Sequence, residues 1–123
     1  MATQTMKLPK QFDVILDIIN QIFEIERKAE KLQESHSIQR NIDKLKDILE
    51  HQISILFFDT GFIYENPIGE DYNETRTDCT ASIAGESTEN LVIVEVIKPI
   101  IRVKQNNFTQ IIQKAVVVVQ SKD

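Results

Sequence analysis

Few residues in this chain have the type and spacing to do chemistry. The two histidines, His36 and His51, stand fifteen positions apart with no cysteine or carboxylate at zinc-ligand spacing. Each reads as a surface helix histidine. Cys79 is the only cysteine and falls where a strand is expected to begin, so a small buried thiol is expected rather than a nucleophile. Within "DYNETRTD" the alternation of Asp71, Asn73 and Thr75 imitates a calcium loop. The loop's sixth position is Arg76 instead of Gly and its twelfth is Ser82 instead of Glu, so a solvated acidic loop is the reading. Serines and carboxylates form no recognisable triad, and 3 glycines are too few for a phosphate-cradling loop. No catalytic residue, metal or cofactor is expected, and the chain does not read as an enzyme.

The elements that position these residues follow from composition and periodicity. A chain of 123 residues is a one-domain length, and 41% hydrophobic with 27% charged residues is ordinary for a globular protein. Residues 1–64 carry 8 Lys/Arg and 10 Asp/Glu, residues 65–95 carry 1 and 8, and residues 96–123 carry 5 and 1. The acidic middle and the basic end are therefore expected to fold near each other. A net charge of −5 argues against nucleic acid as the main partner. The start "MATQTMKLPK" lacks the apolar core of a signal peptide, and no apolar run approaches the roughly 20 residues of a membrane helix. With a single cysteine, these features give the expectation of a cytoplasmic protein without membrane contact. The sequons at Asn73 and Asn107 then read as chance.

From Gln11 to Asp59 apolar residues recur at helical spacing. Phe12, Ile15, Ile19, Ile22, Ile25, Ala29 and Leu32 form one stripe, widened by Ile18 and Phe23. A break near "ESHS", with Ser35 or Ser37 as a cap, precedes a second helix bearing Ile38, Ile42, Leu45, Ile48, Leu49, Ile53 and Leu56. The first helix is expected to run about 25 residues, or roughly 38 Å. Two helices of that length do not bury their stripes against each other alone, so a second copy of the chain is expected. After Cys79 the chain turns β-branched, with strands at "TASIA", "LVIVEVIKPIIRV" and "IIQKAVVVV" and turns at "GESTEN" and "KQNN". Pro99 is expected to end a strand or mark an edge. The fold class is α+β, divided as 1–60 helical and 61–123 β.

At "GFIYENPIGEDYNETRTDC" the sequence resembles the GrpE family, the nucleotide exchange factors of DnaK-type chaperones. That family joins a helical dimerisation region to a small β domain by a run of the form G-V-x-P-I-x-P-x-G-x-x-F-D-P-x-x-H-x-A. Gly61, Pro67 and Gly69 fall in register without a gap, with Tyr72 for the aromatic and Asn73 for the Asp. Upstream, Leu8 and Pro9 match an L-P-x-x-D-N-L segment; downstream, "VIVEVIK" and "IIQKAVVVV" resemble the family's strands. Departures are equally plain. Glu74, Thr77 and Cys79 stand for the motif's Pro, His and Ala, and Ile100 stands for a glycine. The N-G-R run becomes Phe108, Thr109, Gln110, so the arginine that faces the chaperone in the family is missing. The chain looks like a shortened, diverged member.

The resemblance implies long N-terminal helices forming a dimeric four-helix bundle, two from each chain, followed by a small all-β domain. It implies a homodimer whose β domain enters the cleft of a DnaK-type ATPase domain and promotes ADP release by favouring the open state. Carried over, the bundle core is Ile18, Ile22, Ile25, Ile42, Leu45 and Leu49. The partner-binding set is Asp71, Asn73, Thr77, Ile97, Gln110 and Val119, although Ile97 and Val119 read more readily as core than as interface. The alternative is a dimeric interaction or scaffold module that keeps this fold without exchange activity.

Overall fold

The computed structural model describes residues 10–32 and 36–123; Leu8, Pro9 and the candidate cap Ser35 lie outside them. The first stripe folds as α1, Lys10–Ala29, 20 residues rather than about 25. The second folds as α2, His36–Asp47, with Ser37 inside the helix. Continuation to Leu56 does not occur. A π-helical turn over Ile48–Gln52 and a 3-10 turn over Ile53–Ile55 replace it. In the π turn the Ile53 N–H donates to the Ile48 carbonyl, and Leu49 stays in the core.

The β part is one long ribbon bent twice. Strand β4 (Leu91–Lys98) passes through Pro99 into β5 (Ile100–Gln105), and β6 (Phe108–Gln113) passes through Lys114 into β7 (Ala115–Ser121). The reversal is at Asn106, whose positive φ of 54° suits asparagine in a tight turn. At the bends the ribbon passes from one sheet into another with its two arms still paired. Near the turn, β5 and β6 are joined by β1 (Thr60–Glu65) in the order β1-β5-β6. At the other end, β4 and β7 take up β2 (Asp71–Tyr72) and β3 (Cys79–Ala84) in the order β2-β4-β7-β3. Strand β3 lies parallel to β7, with Cys79 opposite Ala115 and Ile83 opposite Val119. Pro99 is buried at the corner. The Gln113 side chain donates to its carbonyl at 3.0 Å, and Gln113 and Asn20 of α1 exchange a reciprocal amide pair.

Two apolar clusters fill the molecule. Phe12, Ile15, Ile19, Ile22 and Ala29 of α1 pack with Ile42 and Leu49 against Phe62, Ile101, Val103 and Ile112 of the three-stranded sheet. Phe23 alone among the residues of α1 enters the other cluster, against Ile93, Val96, Val117 and Val119 of the four-stranded sheet. These contacts overturn the expected α+β architecture of long helices in a dimeric four-helix bundle. Among the described residues there are two short α-helices, and the other elements are chiefly strands, seven of them in two sheets. The physical reason is that the three-stranded sheet offers the helical stripe an apolar face within the same chain. Ile22, Ile42 and Leu49 are buried there, while Ile18, Ile25 and Leu45 of the same expected set are exposed. One cluster spans the expected boundary between residues 60 and 61, since Leu49 and Phe62 share it.

Gly61 is not the left-handed residue that closes the helical half. The left-handed residue after the helical half is Asp59 (φ 52°), and Gly61 is a β1 residue paired with Lys104. A Cβ at Gly61 would lie inside the contact distance of the Glu50 carbonyl oxygen. Glycine is required because the π turn crosses β1 backbone to backbone. Gly69, by contrast, uses its freedom at φ 82° to turn the chain between β1 and β2.

Candidate functional site

The loop from Glu70 to Asp78 is organised by Arg76, the residue that broke the calcium pattern. Its Nη1 donates to the Asp71 carbonyl at 2.9 Å, its Nη2 to Glu70 Oε1 at 2.6 Å and its Nε to Asp78 Oδ1 at 2.6 Å. A guanidinium thus sits among the carboxylates. Burial raises the Asp78 carboxyl, but hydrogen bonds from Arg76 and Cys79, together with the Arg76 charge, outweigh it and hold the group below the usual carboxylate range. Asn73 Oδ1 accepts the Thr75 N–H at 2.9 Å and closes an Asx turn. Among the described residues no three His, Cys, Asp or Glu side chains gather as a metal site would require.

Cys79 follows this loop as the first residue of β3 and is buried. Burial, and then the Asp78 carboxylate, push its thiol up to about 11. His36 is exposed on the first turn of α2, and His51 is exposed beside Glu50, 3.7 Å away.

The six partner-binding positions do not form one patch. Asp71, Asn73 and Thr77 lie exposed at the end of the four-stranded sheet where β2 pairs with the start of β4. Ile97 is 48% exposed at a bulge of β4 near the corner. Gln110 lies opposite Val103 in the other sheet, beyond the bend. Val119 is 0% exposed and has no side-chain surface for a partner. Alternation puts it on the inner face with Ala115 and Val117, whereas Val116 and Val118 face outward and are half-buried.

Two features escaped the sequence reading. The first is a polar knot between the helices and β1. Glu26 accepts from Lys46 Nζ at 2.9 Å, Gln39 Nε2 at 3.1 Å and Tyr64 Oη at 2.9 Å, and Lys46 lies 4.9 Å over the Tyr64 ring. Burial raises the Glu26 carboxyl, yet the three hydrogen bonds hold it below the ordinary value. Burial and the hydrogen bond to Glu26 push the Tyr64 phenol well up.

The second is an exposed apolar surface at the end of the helical half. Ile55 is 86%, Leu56 76% and Phe58 92% exposed. Phe57 between them packs on Phe12 with ring centroids 5.1 Å apart, which sets its neighbours beside the N-terminal part of α1. Val14, Ile18 and Ile25 are exposed along α1 at steps of four and seven. The signal was present in the sequence: "ISILFF" is apolar in five of six positions, and one helix face cannot bury them all.

No family model matches the chain, and neither a curated protein nor a solved structure does. No helix among the described residues is long and apolar enough to cross a membrane.

Proposed function

We propose that this chain is a homodimeric, GrpE-like co-chaperone that docks on the ATPase domain of a DnaK-type chaperone and promotes ADP release. The observation that carries a protein-binding role is the apolar surface of Val14, Ile18, Ile25, Ile55, Leu56 and Phe58. Ile55, Leu56 and Phe58 are each at least 76% exposed, and large apolar side chains left out in this way mark an interaction surface. A second copy is the occupant assigned to it, meeting the first along α1 and the Ile55–Phe58 turn. The chaperone reading rests on the GrpE-like run, whose Gly61 meets a backbone requirement where the helical half crosses β1 and whose Gly69 meets one at the turn from β1 to β2. Asp71, Asn73 and Thr77 follow the turn at Gly69 and are the residues offered to the ATPase domain.

Exchange by this route needs no covalent step. A partner that binds the open cleft better than the closed one shifts that equilibrium and weakens nucleotide binding. Fluorescent ADP released from a loaded DnaK-type chaperone in stopped flow is the test. Release should accelerate with added protein and saturate; a rate unchanged at saturating protein rejects exchange. The scaffold alternative draws on one observation. Gln110 takes the place of the family arginine and is exposed on β6, where it supplies no charge. Binding in a pull-down with unaltered ADP release would select it.

A further inference from the structure

The inner face of the four-stranded sheet is closed at one end and open at the other. Near the corner it is covered by Phe23, Ile100 and Ile111. At the far end a groove of about 440 Å³ runs across it from Ala81 and Ile83 of β3, past Leu91 of β4, to Tyr72 of β2. Its remaining walls are Asn73 and Glu74 from one loop and Thr88 and Asn90 from another. The floor is apolar, with Leu91 buried and Ile83 45% exposed.

The rim is acidic. Glu74 lines the groove, and Glu86 and Glu89 flank Thr88 in the turn between β3 and β4. Asp123 is brought to the same place, its Oδ2 accepting from Asn90 Nδ2 at 3.0 Å. The nearby cations are already engaged: Arg76 with Glu70 and Asp78, and Lys122 with Asp71 at 2.9 Å. Among the described residues Glu74, Glu86 and Glu89 have no ion-pair partner, so the rim keeps a net negative charge over an apolar floor.

We infer that this groove binds an extended basic segment of a partner protein, one that inserts an apolar side chain against Ile83 and Leu91 and sets flanking lysines or arginines against Glu74, Glu86 and Glu89. The volume admits one or two side chains and not a folded domain. The carboxylates select the sign of the flanks and steer encounter, while the apolar floor supplies the buried contact. This site is separate from the α1 surface assigned to the second copy and does not depend on the chaperone reading.

The test uses the full chain and two fluorescein-labelled peptides, each with an Ile-Val-Ile centre, flanked by paired lysines in one and paired glutamates in the other. Anisotropy should show the lysine peptide binding at least about tenfold more tightly than the glutamate peptide. That preference should weaken as salt rises. Ile83→Asp should abolish binding. The triple variant Glu74→Lys, Glu86→Lys, Glu89→Lys changes only exposed positions, so it should keep its circular dichroism and invert the preference. Amide shifts on titration should cluster at residues 72–74, 81–83 and 88–91. Equal affinity for the two peptides, no binding by either, an unchanged preference in a folded triple variant, or shifts confined to another surface would overturn the inference.

Discussion

At the scale of single residues, Glu26 shows how one half-buried carboxylate ties three elements. Its hydrogen bonds to Lys46, Gln39 and Tyr64 favour the ionised form, so its folded pKa lies below the unfolded one. The stabilisation is therefore fully present above the unfolded value and is lost as pH falls through the folded one. Glu26→Gln should lower stability at pH 7, by about 1–3 kcal/mol, and by less in acid, where the wild-type carboxyl is protonated too. Urea unfolding followed from neutrality down through the acid range measures the difference; a loss that stays equal at every pH would show that charge plays no part. Cys79 makes a second residue-scale prediction. A buried thiol pushed up to about 11 should react with a disulfide reagent at pH 8 far more slowly than the same thiol in the unfolded chain. Rapid labelling of the folded protein would contradict the placement of Cys79.

Element-scale predictions follow from where α1 lies. Ile22 is 5% exposed against the chain's own sheet, so Ile22→Asp should unfold the monomer and does not report on assembly. Phe23 is the residue through which α1 reaches the second cluster, where it stands edge-on to Tyr64 at 6.3 Å, with the Arg27 guanidinium 5.3 Å from its ring. Phe23→Ala should cost about 3–5 kcal/mol in chemical denaturation, the usual range for emptying a buried aromatic site. A loss well under that would mean that the four-stranded sheet closes without α1. Gly61→Ala should be destabilising by about 1–3 kcal/mol, because the added carbon meets backbone and not a side chain that can move aside. The periodicity made both helical stripes legible, and β-branched runs marked the arms of the ribbon. Their partner was not legible. A stripe of Ile and Phe looks the same whether it faces a second helix pair or a sheet, and the choice depends on strands far away in the chain. Likewise "LVIVEVIKPIIRV" announced β structure, but only the bend at Pro99 sends its two halves into different sheets.

The whole molecule is a helical hairpin laid on a twice-bent ribbon, with its interior filled and some large apolar side chains left outside. The sequence marked the acidic loop and its register, yet Asp71, Asn73 and Thr77 at one end of the ribbon and Gln110 beyond the bend are not one surface. The exposed Ile55, Leu56 and Phe58 were hidden inside a helical assignment that the π turn interrupts. They give the central claim, that two copies meet along α1 and this turn. Light scattering on the eluting protein, at several loading concentrations, tests it most directly. A mass of twice the 14.2 kDa chain is expected, falling to one chain in the double variant Leu56→Lys, Phe58→Glu with its circular dichroism unchanged. A single-chain mass at every concentration, or a double variant that remains paired, would contradict it.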